Sequence, residues 1–549
     1  MSNARNIADL VNPSGSSFVG YLPAGTGAVA TTVQAKLRET VSVKDFGAVG
    51  DGIVNDTAAI QAAIDSLSSK STLIFPAGTY KINQVIFDGI SEIAVTAYGA
   101  RFSLTGDNAG FVVKGVCNNI DVFGGVLVGD GVNRDSDLTK IQIGWSFGNE
   151  SGAYVQGVRV HDVWVDSANQ GFRFAAGTGS GSGPCQNVKV INCHAKDIVG
   201  LVGGAGYGFM FSQAPFSSIV QSSAENCGRH GIYFAEGRNY TASSCLVRNH
   251  RSAVYTGAYR VAMSISRSRN VTVEGCVFDN CYDGTVEIDV DTQGTAPDNV
   301  SIGTVLSNCV FLGSALADIR IGTVPAVDGI PEDVVVSNCA MVRPSSNSNS
   351  SIVIEGGERI KIDGCLIDGP GTSSSRAISL NATSGATYTD DLTITNNQIS
   401  GWDYGIQFES ALKTGASKVQ VFNNQISATT SEFDFVGGED ATTNNNLIYK
   451  RNNGKNATRS YTSSGSNITI PVGGLDVLTI SASGATTVLN FSGGTEGQEL
   501  LCFFTNGNTT LLNSNFYMAG ALNFVGSQYD TITFVYVGGY WREKCRSLN

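Results

Sequence analysis

The sequence is poor in several features that define common classes of protein. Only 15% of its 549 residues are charged, and acidic residues outnumber basic ones to give a net charge of −12. Nucleic acids and anionic membranes are bound by clustered Lys and Arg, so this balance argues against both as partners. A hydrophobic fraction of 42% is nevertheless too high for a disordered chain.

Long apolar runs and long helical patterns are also missing. No stretch of about 18 apolar residues occurs, so no membrane insertion is expected. The polar segment Met1–Leu10 is not followed by the apolar region of a secretory signal peptide. Proline is scarce, with 11 residues, whereas glycine is abundant, with 66. This composition predicts an all-β protein with many turns.

None of the 12 cysteines stands in a CxxC pair. The closest two, Cys276 and Cys281, lack the histidine partners of a zinc site. We therefore expect a reduced protein that assembles in a cytosol, without a metal or other cofactor.

A seven-residue phrase that alternates polar and apolar residues recurs along the chain. Clear copies are NVKVINC (187–193), NYTASSC (239–245), NVTVEGC (270–276), DVVVSNC (333–339), RIKIDGC (359–365), DLTITNN (391–397) and KVQVFNN (418–424). With further copies at 119–125 and 157–163 and a longer variant at 299–309, most spacings fall at roughly 26 to 38 residues, which is typical of solenoids. A second alternating segment follows each copy, so two or three short strands per coil predict a parallel β-helix.

The last position of the phrase holds cysteine in six copies and asparagine in the two that follow them. It is filled by Cys193, Cys245, Cys276, Cys309, Cys339 and Cys365, and later by Asn397 and Asn424. A small apolar side chain stacked between coils would explain the cysteines. We expect the asparagines to form an internal hydrogen-bonding ladder.

The sequence divides into three predicted parts. Residues 1–40 form a short head of low complexity, residues 41–450 carry the repeats, and residues 455–549 form a separate β domain. Asn55 or Asp56 can cap a helix at 56–67, which would close the open end of the solenoid. The head is either a flexible leader or an attachment or trimer-contact segment. The C-terminal domain is a trimerisation, glycan-binding or capping module.

Three segments near the start carry a family resemblance: VKDFGAVGDG (43–52), NDTAAIQ (55–61) and FPAGTY (75–80). They resemble the opening of the pectate-lyase-like right-handed β-helix superfamily, in the form found in bacteriophage tailspikes. The resemblance implies a homotrimeric virion protein that recognises, and often cleaves, a bacterial capsule or O-antigen polysaccharide. Such a protein would join the phage tail or baseplate through its N-terminus. It would assemble in the host cytoplasm, leave by lysis and act at the cell surface.

The densest row of carboxylates lies in the segment TVEIDVD at 285–291. If its apolar residues point inward, three acids project outward at alternate positions: Glu287, Asp289 and Asp291. Neighbours on one face of a strand lie about 6.5–7 Å apart, and adjacent rungs about 4.8 Å. A catalytic pair within the strand would suit an inverting glycosidase, and a pair across rungs a retaining one.

Cleavage of a glycosidic bond normally needs two carboxyl groups, one of them protonated. We expect Glu287 or Asp289 to supply one, and Glu236 or Asp318 to supply the other. Nearby side chains could stack on sugars or pair with acidic sugars: His230, Tyr233, Tyr255, Tyr259, Asp291 and Arg320. A solvated acidic face or a structural calcium site would explain the same carboxylates. A second acid–aromatic group occurs at 161–166.

The residues and the resemblance together favour a tailspike depolymerase that hydrolyses polysaccharide in an endo fashion. One alternative is a lyase that acts by β-elimination on a uronic-acid polymer, although no clear calcium motif with a nearby arginine base is found. The other alternative is a non-catalytic adhesin fibre that only binds glycan.

Overall fold

The structure, a computed structural model, is all-β. It describes residues 9–134, 136–200, 205–250, 261–281, 284–289, 300–322, 330–344, 348–380, 389–408, 419–435, 447–450, 458–462, 465–472 and 475–548. The parallel strands stack as the predicted right-handed β-helix. The chain forms two compact units, with the main division between Tyr233 and Phe234.

In the first unit the parallel strands form three stacks. The first contains Thr40–Ser42, Thr72–Ile74, Ile93–Thr96, Val116–Phe123, Tyr154–His161, Cys185–Gln186, Lys189–Ile191 and Ser218–Val220. The second contains Asp51–Asn55, Gly78–Ile82, Ala100–Leu104, Val126–Val128, Trp164–Asp166, His194–Lys196 and Ser223–Glu225. The third contains Gln84–Asp88, Gly110–Lys114, Ile143–Gly148, Gln170–Ala175 and Tyr207–Ser212. A short antiparallel ribbon pairs Gly20–Tyr21 with Thr31–Thr32.

Aromatic side chains fill the interior behind the third stack. Phe111 pairs in register with Trp145, and their rings stack with centroids 4.5 Å apart. Phe172 and Phe209, on later rungs, stack at 4.8 Å. All four side chains are buried. Because side chains alternate between faces, the residues between them point away from this core.

The predicted cap is present as the helix Thr57–Asp65. Its buried face consists of Ile60, Ala63 and Ile64. Asp56 occupies the N-cap, but its carboxylate accepts hydrogen bonds from the loop amides of residues 49 and 50, at 2.6 and 3.1 Å, rather than from the helix. The cap residue therefore fastens the glycine-rich loop to the helix.

Other short helices are Val33–Leu37 and the 3₁₀ turns Gly15–Ser17, Val43–Phe46, Leu138–Lys140 and Ala519–Ala521. No helix in the described ranges is long and apolar enough to cross a membrane.

The second unit repeats the three-stack arrangement. The first stack contains Arg238–Ser243, Arg269–Glu274, Ile302–Ser307, Glu332–Ser337, Gly357–Asp363, Thr389–Asp390, Leu392–Thr395, Val419–Phe422 and Leu447–Lys450. The second contains Leu246–Arg248, Val277–Asp279, Val310–Leu312, Ala340–Val342 and Leu366–Asp368. The third contains Met263–Ser266, Val286–Asp289, Ile319–Ile321, Ile352–Ile354 and Arg376–Leu380. Two long strands, Gln398–Phe408 and Gln425–Phe435, run through both the second and the third stack. The strand His230–Ala235 crosses the division between the units.

The predicted internal ladder is confirmed. The thiol of Cys276 donates to the carbonyl oxygen of Ala242 on the preceding coil at 3.7 Å, and Cys309 does the same to Val273 at 3.6 Å. All twelve cysteines are free, and only Cys545 is exposed. These thiols fill space and bond weakly, as expected for small buried side chains.

The two asparagines at the end of the ladder bond more strongly. Asn397 Oδ1 accepts from the amide of Cys365 at 2.9 Å, and Asn397 Nδ2 donates to the Ile362 carbonyl at 3.2 Å. Asn424 Oδ1 accepts from the amide of Asn397 at 3.0 Å. Each amide side chain thus joins its own coil to the next.

The C-terminal strands form two further sheets, one of six strands and one of four. Their bounds are Thr458–Tyr461, Gly465–Pro471, Val477–Ile480, Thr486–Ser492, Glu499–Phe504, Thr509–Leu511, Phe516–Tyr517, Phe524–Gly526, Thr531–Val537 and Tyr540–Ser547. Trp541 and Phe491 pack edge to face in their core, with ring centroids 6.0 Å apart. The domain boundaries given above stay predictions.

Candidate active site

Glu287 lies in a row of side chains that crosses the third stack of the second unit. Register pairs it with Ser264 on the preceding rung and with Arg320 on the following rung. Its strand neighbours Val286 and Ile288 belong to the core, as the alternation predicted. The expectation of a solvated carboxylate was wrong, however, because only 2% of Glu287 is exposed.

The surroundings of Glu287 favour its protonated form. Burial raises the pKa of its carboxyl to about 8, and the negative charge of Asp289 adds to this rise. The positive charge of Arg320 lowers the pKa of Glu287, but it does not outweigh burial. The Arg320 guanidinium nitrogen Nη1 lies 4.0 Å from Glu287 Oε1, which is beyond hydrogen-bonding distance. Glu287 Oε1 makes no hydrogen bond to the described residues. This oxygen is therefore available to a ligand that can reach it.

Arg320 is held mainly by Glu355. Its Nε and Nη2 donate to the two carboxylate oxygens at 2.9 and 2.8 Å, a bidentate pair. Glu355 is 8% exposed, so it is no surface charge. Sequence reasoning missed it as a site residue, although it follows Ile354 as Asp289 follows Ile288. That equivalence is the signal that could have found it.

Asp318 lies in the interior, which corrects its assignment as a catalytic candidate. Its carboxylate pairs with Arg343 Nε at 3.1 Å and accepts from Ser351 Oγ at 2.5 Å. The side chains of Asp318 and Arg343 are both 0% exposed. A carboxylate that is enclosed and paired in this way holds neighbouring coils together.

Glu236 lies at the end of its strand, in a left-handed backbone conformation with φ 52°. Its carboxylate pairs with Arg267, and its amide donates to the Ser266 carbonyl at 3.1 Å. Ser266 in turn is in register with Asp289. The structure therefore brings Glu236, Arg267 and Asp289 to one end of the third stack.

His230 and Tyr233 belong to the first unit. Their rings stack with centroids 5.3 Å apart, and Tyr207 stacks on Tyr233 at 5.2 Å. The Arg229 guanidinium lies over the Tyr207 ring at 5.3 Å. Sequence reasoning missed Tyr207, whose place at the start of its strand matches that of His230. Tyr255, Tyr259 and Asp291 lie outside the described residues.

The second acid–aromatic group is also assembled. Asp162 accepts hydrogen bonds from Tyr98 Oη and Asn192 Nδ2, both at 2.6 Å. The bond from Tyr98, with that from Asn192, lowers the pKa of the Asp162 carboxyl. The Trp164 and His194 rings lie 4.3 Å apart beside it. With both oxygens bonded within the protein, Asp162 is a weaker candidate for an acid than Glu287.

Within the described ranges, no three His, Cys, Asp or Glu side chains converge as a metal site would require.

One family model matches part of the chain. Residues 40–286 match the model of the family described as rhamnogalacturonase A/epimerase, pectate lyase-like. That segment, less than half of the chain, resembles pectate-lyase-like proteins.

A tail spike protein and an epimerase are similar in sequence. The tail spike protein of Shigella phage Sf6 is 24% identical over 221 residues, 33% of this chain and 33% of that protein. Mannuronan C5-epimerase AlgE1 of Azotobacter vinelandii is 30% identical over 141 residues, 19% of this chain and 10% of the enzyme. The chain thus spans a third or less of the length of these relatives.

Solved structures show the same fold. The tailspike protein of E. coli bacteriophage HK620, in complex with a pentasaccharide, matches with a TM-score of 0.58 at 16% identity. That match covers 81% of this chain and 86% of the tailspike. The A-module of Azotobacter vinelandii mannuronan C-5 epimerase AlgE6 matches with a TM-score of 0.51 at 16% identity, covering 75% and 98%. The resemblance to phage tailspikes with a pectate-lyase-like β-helix is confirmed.

Proposed function

We propose that the protein is a phage tailspike that binds a bacterial surface polysaccharide and cleaves it internally by hydrolysis. The observation that carries the proposal is the buried Glu287 carboxyl, whose pKa is raised to about 8. Such a group keeps its proton at neutral pH, as a general acid must. The tail spike relative, and the HK620 tailspike bound to a pentasaccharide, support a glycan as the substrate class.

Asp289 is the second carboxylate of the proposed pair. It lies two residues from Glu287 on the same strand, so the two Cα atoms are about 6.5–7 Å apart. A separation of this size leaves room for a water molecule between acid and base, which suits inversion. In this mechanism Glu287 protonates the leaving oxygen while Asp289 activates the water. Glu236 is the alternative base, although its carboxylate is paired with Arg267.

Arg320 and Glu355 act as positioning residues in this proposal. Glu355 holds the Arg320 guanidinium through two hydrogen bonds, which keeps it 4.0 Å from Glu287. A closer, bidentate contact with Glu287 would stabilise its carboxylate and remove the acid. Because Glu287 is nearly enclosed, the polymer must displace the residues that cover it before the proton can be transferred.

The test compares amide variants on purified polysaccharide from the host. We expect Glu287→Gln and Asp289→Asn each to lower the rate at which new reducing ends form by about 10²–10⁴-fold. Glu274→Gln is the matched control, because Glu274 is an exposed acid in the same coil with no role in the proposal. Full activity in both Glu287→Gln and Asp289→Asn would exclude the assignment.

β-Elimination is a second candidate, since the matched family and AlgE1 are both named for epimerases and the family model is pectate lyase-like. A product that absorbs as an unsaturated uronate would identify a lyase. Polysaccharide that binds without a change in size would identify an adhesin.

We also propose a homotrimer that joins the phage tail or baseplate through its N-terminal residues and acts at the bacterial surface. Light scattering on the purified chain tests the trimer, and a mass of one chain would exclude it. Loss of incorporation into virions on deletion of residues 1–40 would support the attachment role.

A further inference from the structure

A cavity of about 410 Å³ lies within the first unit, on the outer side of its third stack. Its floor includes Val112, Ser146 and Arg173, which occupy matching positions on successive rungs. Side chains alternate along a strand, so these three face away from the aromatic core. The cavity uses none of the carboxylates proposed for cleavage.

One wall comes from residues 129–142, which connect the strands Val126–Val128 and Ile143–Gly148. On the next coil the equivalent connection is only residues 167–169. Leu138, Thr139 and Ile141 of the longer connection line the cavity. Connections far longer than the geometry requires are commonly functional in compact domains.

Buried amide side chains hold this wall in place. The side-chain Nε2 of Gln142 donates to the Gly106 carbonyl at 3.0 Å. The backbone amide of Gln142 donates to Asn169 Oδ1 at 2.9 Å. Asn169 Nδ2 donates to the Val132 carbonyl at 2.9 Å. Gln142 and Asn169 are both fully buried. The cavity is therefore formed in advance of any ligand.

The Arg134 side chain fastens the same connection from its other end. Its Nη2 and Nη1 donate to the two carboxylate oxygens of Asp130 at 2.5 and 2.8 Å. Its Nε donates to Asp107 at 3.3 Å. Because bidentate pairs fix geometry as well as charge, the described part of the wall has little freedom to collapse into the cavity.

The floor contains a hydroxyl that lacks a partner among the described residues. Ser146 is 2% exposed, and its Oγ makes no hydrogen bond to them. A buried polar atom without a partner is unfavourable unless a water or a ligand satisfies it. This orphaned hydroxyl indicates that the cavity is shaped for a polar occupant.

The charged groups of the lining have opposite sign. Arg173 donates through Nε and Nη2 to Gln170 Oε1 at 3.1 and 2.7 Å, and Glu150 lines the same cavity. An acidic ligand would face Glu150, and a basic one would face Arg173. The pair together matches a neutral ligand that both donates and accepts hydrogen bonds.

We propose that this cavity binds a neutral sugar unit through Ser146, Arg173 and Glu150. Sugar hydroxyls donate and accept, whereas guanidinium only donates and carboxylate only accepts, so adjacent hydroxyls satisfy both groups. The apolar faces of Val112, Ile141 and Ile143 suit the C–H face of a pyranose. The volume lies at the small end of known ligand sites, which span about 300–1,000 Å³, and so fits one or two sugars.

The experiment is ligand-observed saturation-transfer NMR on the full chain. The probes are glucose, galactose, mannose, rhamnose and N-acetylglucosamine, with glucuronate and glucosamine as charged comparators. We expect at least one neutral sugar to bind, with an affinity at least 10-fold lower in Ser146→Ala and Arg173→Met. Arg101→Met is the matched control, since Arg101 is an exposed arginine of the same unit outside the cavity.

Absence of binding by every neutral sugar, or equal binding in both variants, would overturn the proposal. Binding of glucuronate alone, or of glucosamine alone, would show that the ligand is charged and would overturn the proposal of a neutral sugar. Thr139 is exposed at the rim, so Thr139→Trp should block the cavity without disturbing the fold. If Arg173→Met fails to fold, loss of sugar binding in Thr139→Trp supports the proposal, and unchanged binding overturns it. The outcome is independent of the proposed cleavage, because monosaccharides contain no bond for Glu287 to break.

Discussion

The Arg343 guanidinium and the Asp318 carboxylate form an ion pair, Nε to Oδ2 at 3.1 Å, from which solvent is fully excluded. The two residues come from successive coils, and Ser351 donates to the same carboxylate oxygen. The acid therefore links coils.

Removal of one partner of this pair is predicted to destabilise the fold. Asp318→Ala leaves a buried guanidinium without its counter-charge, which typically costs about 3–5 kcal/mol in the free energy of unfolding. The control is Glu499→Ala, which breaks an exposed pair with Lys544 and should cost less than about 1 kcal/mol. Urea unfolding measures both. A variant Asp318→Ala that is fully stable but inactive would restore Asp318 as a catalytic candidate.

The contribution of Glu287 to the stability of the protein is predicted to fall as the pH rises toward 8. Folding raises the pKa of Glu287 to about 8, so the folded state keeps a proton that the unfolded state releases near pH 4.5. The contribution of Glu287 to stability is then greatest below the unfolded pKa, declines through this window and levels off above pH 8. The change is on the order of a few kcal/mol.

Unfolding by urea at pH 5 and pH 9 measures this decline. Glu287→Gln should flatten it, because the amide does not titrate. Glu274→Gln should retain the wild-type slope. An equal slope in all three proteins would show that Glu287 does not titrate in this range.

Removal of the Glu355 charge is predicted to shift the pH–activity profile. The negative charge of Glu355 contributes to the raised pKa of Glu287, and Glu355 also holds Arg320. Glu355→Gln should therefore lower the pKa of Glu287 and move the alkaline limb of kcat/KM to lower pH. Glu332→Gln, which removes an acid paired with the exposed Arg359, should leave the limb unchanged. A loss of activity at every pH without a shift would assign Glu355 a purely structural role.

The asparagine ladder is predicted to tolerate cysteine better than leucine. Asn397→Leu leaves the amide of Cys365 and the carbonyl of Ile362 without their partners, at about 1–3 kcal/mol for each buried group. Asn397→Cys introduces the side chain that the preceding coils already use there, so it should cost less. Thermal unfolding ranks the two variants. The reverse order would show that volume, rather than hydrogen bonding, decides this position.

Most of the fold could be predicted from the sequence, because a solenoid repeats its local rules. Alternation identified the strands, the spacing identified the coils, and the shared position of Cys276 and Asn397 identified the ladder. The helix at Thr57–Asp65 followed from the capping residue predicted at Asn55 or Asp56. Each of these depends on contacts within one coil or between adjacent coils.

The site was less predictable, because burial depends on segments that do not repeat. Alternation gave the direction of Glu287 but not its enclosure. Asp318 lies just before its strand, where the chain turns between stacks, and its partner Arg343 comes from the matching turn one coil later. The long connection at residues 129–142 that walls the cavity is not repeated on the next coil, so it left no periodic signal.

The ladder of Cys276, Cys309, Asn397 and Asn424 also bears on how such a chain can change in length. Each of these side chains bonds only within its own coil or to an adjacent one. Insertion or loss of one complete coil would leave every such bond with an equivalent partner, whereas a fraction of a coil would break the series. The helix can therefore be lengthened or shortened in whole coils, and a binding face extended, without redesign of the core.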